Sequence, residues 1–133
     1  GGMKIKVRGG KRWTIQRVND DQGREMLYIL TFYMPRFQNL SFDDKLTTIV
    51  HELFHISPAC DGDLRRFDGR CYAHTGSQKK YDAAMSRFAR KWLSLGPPES
   101  IYDFLRHDFK TLTAKYNSII GTKISAPKVY RVA

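Results

Sequence analysis

The sequence predicts an α+β fold, with a small, mostly antiparallel sheet first and three helices after it. Three observations carry this. Aromatic and β-branched residues cluster in short runs through the first third of the chain. Pro35 closes that region. Beyond Ser41 the apolar residues recur at helical spacing in three successive blocks. A length of 133 residues, 41% hydrophobic and 27% charged, suits one compact globular domain, expected over 3–133. Gly1 and Gly2 ahead of Met3 read as a cleavage remnant. No apolar stretch approaches the about 18 residues a membrane helix needs, and no basic-then-apolar leader opens the chain. A cytoplasmic protein without membrane association is therefore expected.

Residues 3–8 alternate weakly and stop at Gly9-Gly10. Residues 11–18 carry Trp13, Ile15 and Val18 among polar neighbours, and 19–23 form a dense turn signal. Residues 27–34 are apolar on both faces, as a covered strand would be, so a hairpin between 11–18 and 25–34 is expected. Ser41 supplies a capping hydroxyl and Asp44 a carboxylate three residues on, which should start a helix. Phe42, Leu46, Ile49, Val50, Leu53 and Phe54 form its apolar face, and Pro58 should end it. A long irregular stretch over 57–76 follows, of the kind that tends to carry function. The second helix is expected over 77–95, with Tyr81, Ala84, Met85, Phe88, Trp92 and Leu95 inward and a basic outer face, ended by Gly96-Pro97-Pro98. The third is expected over 100–117, with Ile101, Phe104, Leu105, Phe109, Leu112 and Tyr116 inward. The tail after Gly121 reads as extended and basic.

Twenty-three Lys and Arg against thirteen Asp and Glu give a net charge of +10. That excess favours polyanions, nucleic acid among them, although the charges are scattered along the chain. Two cysteines, Cys60 and Cys71, are too few for a disulfide framework and read as free thiols.

The chemistry concentrates in His51-Glu52-Leu53-Phe54-His55, an H-E-x-x-H motif. Four residues apart on a helix, the two imidazoles stand one turn apart on one face and can share one Zn²⁺. Glu52, adjacent to the first ligand, is placed to take a proton from a water at the metal. The core-facing residues of the helix leave His51, Glu52 and His55 together on its polar side.

A catalytic zinc needs a third protein ligand and one open position. No histidine falls between His55 and His74, and the only glutamate after Glu52 is Glu99, so neither a closely following His nor a Glu on the second helix is on offer. His74 is preferred. It lies nineteen residues beyond His55, in a loop able to fold back under the helix. Cys71, Asp61, Asp63, Asp68 and Asp82 remain alternatives. His107, near Asp103 and Asp108, reads as a surface residue. Between the ligands, 61–70 alternates aspartate and arginine around two glycines. Its carboxylates either pair with the arginines to hold a tight loop or hydrogen-bond the outer nitrogens of the metal histidines. An arginine there, Tyr72 or Tyr81 is a candidate oxyanion donor.

The run 51–56, then Gly62 to Phe67, Gly69-Arg70 and Tyr72-Ala73-His74 resembles a family of small phage metallopeptidases. The resemblance extends from about Phe32 to the end, with Asp108-Phe109 and the 124–127 tail included. It implies a minimal zincin-like domain in which His51, His55 and His74 hold Zn²⁺ and Glu52 is catalytic, acting on a protein or peptide substrate. A second expectation, from the charge, is a basic nucleic-acid-associated module of SprT-like or phage type, with a structural or vestigial zinc site.

Overall fold

The computed structural model describes residues 5–66 and 78–132. Its architecture is α+β, as the sequence predicts. Strands β1 (Lys6–Arg8) and β2 (Lys11–Ile15) precede helices α1 (Phe42–Phe54), α2 (Gln78–Ser94) and α3 (Phe109–Tyr116), and strand β3 (Val129–Val132) closes the chain. The chain divides into two compact units, one drawn from 1–30, 56–71 and 122–133, the other from 31–55 and 72–121.

The first unit holds the sheet, an antiparallel β1-β2-β3 array with β2 central. Gly9 and Gly10 have φ of 56° and 69°, so a two-residue turn with both central residues left-handed joins β1 to β2. That turn decides the hairpin. The expected pairing of 11–18 with 25–34 does not form. Arg8 pairs with Lys11 across the glycines, and the other edge of β2 is taken by β3, with Trp13 opposite Arg131. Only an isolated bridge, Asn19 to Glu25, links the two segments expected to pair. The 19–23 turn does form, with Asp20 Oδ1 accepting from the backbone N–H of Gln22 and Arg24, each at 2.9 Å. Tyr28 then holds the 57–66 loop: its hydroxyl donates to Asp63 O and accepts from Gly62 N, both at 2.8 Å.

The second unit holds the helices around Phe37, Leu46, Ala89, Tyr102 and Leu105. α1 starts where expected. Ser41 Oγ accepts from Asp44 N at 3.1 Å and donates to the Asp44 carboxylate at 2.6 Å. It ends earlier than Pro58 requires, at Phe54, and a tight turn with Cys60 at φ 49° carries the proline. Leu53 departs from the expected apolar face and is 49% exposed. It stands about 16 Å along the helix from Phe42, whose ring meets Tyr102, while Phe54 is the last-turn residue that meets α2. On α2 the buried row is Tyr81, Met85 and Ala89, while Phe88 and Leu95 are exposed. Gly96, at φ 66°, terminates it as expected.

The third helix is not continuous. Two 3-10 turns, Glu99–Ile101 and Asp103–Arg106, precede α3. The reason lies in distant side chains. Gln38 Nε2 donates to the carbonyls of Phe104 (2.8 Å) and His107 (2.6 Å), and Lys45 Nζ donates to His107 O at 2.7 Å. Phe104 O is shared between Gln38 and the N–H of His107, at 3.4 Å, so a long 3-10 bond stands where the α-helical one would be. Asp108 restarts it, accepting from Thr111 N at 2.7 Å, and Asn39 Oδ1 accepts from Phe109 N. Ile101, Phe104 and Tyr116, expected inward, are exposed, and Tyr102 is buried instead.

Candidate metal centre

The H-E-x-x-H motif occupies the end of α1. His51 and Glu52 lie in its last turn and His55 is the residue after it, still helical at φ −71°, ψ −18°. Its N–H donates to Glu52 O at 3.2 Å, tightening that turn. Helical backbone through His55 keeps the four-residue offset intact, so both imidazoles stand on one side. Their ring centres are 4.9 Å apart, with planes inclined at 72°. Two imidazoles on one tetrahedral zinc, with Zn–N about 2.0–2.1 Å, have ring centres about 5 Å apart. The spacing of the pair matches that distance. Both rings are half-buried, and Glu52 beside them is exposed.

Tyr81, at the head of the buried row of α2, packs against both rings. Its ring meets His51 edge-on at 5.0 Å and lies nearly parallel to His55, 16° between planes, at 6.4 Å. Phe54 joins from the side, 6.2 Å from Tyr81 and stacked on Phe88 at 5.6 Å. The histidines therefore border an aromatic wall on α2, while Glu52 beside them is exposed. Such a wall restricts rotation of both imidazoles, an ordering cost met in folding before any ligand arrives. Tyr81 is expected inward from the sequence, and is a candidate oxyanion donor. The structure puts its ring against both histidines, a contact only α1–α2 packing reveals.

The other candidates are engaged locally. Asp63 Oδ1 accepts from Leu64 N at 2.9 Å and Oδ2 from Arg66 Nη2 at 2.6 Å, and that guanidinium holds the carboxyl below its ordinary value. Asp61 Oδ1 accepts from Asp63 N. In 61–66, the described part of that segment, Asp63 pairs with Arg66 as the salt-bridged-loop alternative expects. Asp82 accepts from Gln78 on its own helix at 2.7 Å. Cys60 is an exposed free thiol. His107, expected at the surface, has a side chain 22% exposed, with Asp103 Oδ2 at 3.6 Å and Lys115 Nζ at 3.1 Å from its Nε2.

Among the described residues no three His, Cys, Asp or Glu side chains are grouped to hold a metal ion. His74, with Asp68, Cys71 and Tyr72, lies outside the described residues. No protein-family model, no curated protein and no solved structure matches the chain.

Proposed function

We propose that the chain is a zinc-dependent peptidase of minimal zincin-like design, with His51, His55 and His74 as metal ligands and Glu52 as general base. The observation that supports it is the His51–His55 pair, 4.9 Å between ring centres, with an exposed carboxylate at the intervening position. Zinc, when bound, supplies Lewis acidity that acidifies water and polarises a scissile carbonyl. His51 and His55 donate neutral nitrogens and are held in orientation by Tyr81. Glu52, in contact with solvent, accepts a proton from the attacking water and returns it to the leaving amine. His74 enters on its residue type and its distance along the chain from His55.

The test compares metal content with turnover. Glu52→Gln should retain zinc near the wild-type level in elemental analysis and lose hydrolysis of a quenched fluorescent peptide library by at least about a hundredfold. His55→Ala should lose the zinc itself, and His74→Ala should weaken zinc affinity by orders of magnitude. Wild-type turnover in Glu52→Gln overturns the role of Glu52. Unchanged zinc affinity in His74→Ala removes that ligand alone.

A further inference from the structure

The three-stranded sheet carries a separate feature. Residues directly opposite in an antiparallel pair share a face, and alternate residues along a strand do too. The register therefore puts Arg8 opposite Lys11, Lys6 and Arg131 on either side of Trp13, and Ile15 opposite Val129, all on one face. No strand of the sheet contains an acidic residue. Among the described residues none of Lys6, Arg8, Lys11 or Arg131 belongs to an ion pair. A hollow of about 850 Å³ runs along the hairpin, lined from this face by Lys6, Arg8, Lys11, Trp13, Ile15 and Val129, with Val7, Gly9 and Thr14 also bordering it. Trp13 is half-buried there, and its indole N–H is buried without an acceptor.

We propose that this face binds single-stranded nucleic acid, with phosphates on Lys6, Arg8, Lys11 and Arg131 and a base against Trp13. Arg8, Lys11 and Arg131, uncompensated, together with Lys6, whose charge also reaches Asp63, make one basic patch that calls for a polyanion. An aromatic between two cations, opposite one another across neighbouring strands, is the arrangement by which sheets take an unpaired base while the flanking charges hold its phosphates. The hollow separates nucleic acid from a membrane as partner: a flat bilayer cannot press into a hollow whose aromatic is half-buried. The apolar end, Ile15 and Val129, offers contact to a base or sugar where phosphates are not needed. This inference stands apart from the metal site, since every residue it uses belongs to the sheet.

The experiment is fluorescence anisotropy of a labelled oligo(dT) 12-mer, titrated with the full chain in EDTA at several salt concentrations. EDTA makes the result independent of the peptidase reading. Four phosphate contacts predict a slope of log K against log salt of about −3 for a single strand. Lys6→Gln, Arg8→Gln and Lys11→Gln should each make the slope shallower by about 0.7. Arg12→Gln, on the opposite face, should leave it unchanged. Trp13→Leu should weaken binding by about 5- to 150-fold, and Trp13→Phe, which keeps a ring, should retain most of it. The chain has two tryptophans, so the quench of intrinsic fluorescence on binding should vanish in Trp13→Phe. Circular dichroism of each variant verifies folding. A slope unchanged in Lys6→Gln, Arg8→Gln and Lys11→Gln, or Trp13→Phe binding as poorly as a folded Trp13→Leu, overturns the proposal. So does competition by phosphatidylserine vesicles as effective as by unlabelled oligonucleotide, which would make the partner a lipid surface.

Discussion

Lys45 sits three residues after Phe42, at an offset that faces the core, and only 2% of it is exposed. Its ammonium is accommodated because two backbone carbonyls, Gln38 O at 2.8 Å and His107 O at 2.7 Å, accept from it. Burial pushes its pKa below the ordinary lysine value, and Asp108 opposes that push. Removing the donor leaves Gln38 O buried without one, while His107 O keeps its bond from Gln38. Lys45→Met is expected to destabilise the fold by about 2 kcal/mol. In thermal denaturation that is a fall of about 8 °C. An unchanged or raised midpoint would mean that relief of ammonium desolvation outweighs the lost bonds. Tyr81 shows the opposite kind of economy: an ordinary core residue whose ring also orients two candidate ligands.

α1 is the element on which the candidate chemistry depends, because its phase sets where His51 and His55 point. That phase begins at Ser41, whose hydroxyl both accepts from Asp44 N and donates to the Asp44 carboxylate. Ser41→Ala is expected to cost about 1 kcal/mol. The loss should be seen in chemical denaturation as a lower midpoint with an unchanged slope. Zinc affinity should change little, since packing on α2 holds the last turn. A large loss of zinc affinity would show that the first turn controls the last. α3 starts in a comparable way, from Asp108 and with help from Asn39, seventy residues earlier in the chain.

For the molecule as a whole, pH and metal are the two variables that reach both units. Asp20 and Asp63 in one unit, and Asp103 and Asp108 in the other, are all held below the ordinary value of 3.8. The causes are, in turn, hydrogen bonds from Arg24, Arg66, Lys115 and Thr111. With folded pKa values below the unfolded one, the unfolded chain binds more protons between them. The stability these groups contribute is fully present above 3.8 and is lost as pH falls through the folded values. Denaturation midpoints should therefore drop below about pH 4, and the double variant Asp103→Asn, Asp108→Asn should show a flatter acid limb. At the alkaline end Lys115, raised by Asp103, and Lys45, lowered by burial, act in opposite directions, so a weaker dependence is expected. Zinc should act on stability by mass action. At one hundred times its dissociation constant it should add about 2.7 kcal/mol, raising the melting midpoint reversibly with EDTA. In His55→Ala that shift should disappear. A shift that persists there would place the stabilising metal elsewhere.

The α+β class, the Ser41 cap, the start of α1, the Gly96 stop and the i, i+4 placement of His51 and His55 are all legible in the sequence, whereas the last strand, after the helices, is not. Each legible feature depends on residues within about four positions of one another, where backbone geometry leaves few alternatives. The failures share the opposite property. One partner of β2 is β3, more than a hundred residues away, and nothing local distinguishes 129–132 from 27–34 as a strand; its other partner, β1, is set by the local Gly9-Gly10 turn. The expected third helix breaks because Gln38 and Lys45, more than sixty residues earlier, claim the carbonyls of Phe104 and His107. Leu53 is exposed and Lys45 buried because neighbours along the helix, not hydropathy, set which positions are covered. The aromatic wall behind the histidines and the basic hollow on the sheet arise in the same way, from side chains that only folding brings together. Short-range geometry is written into adjacent residues, whereas pairing across a hundred residues is chosen by the total packing free energy, which no local window contains.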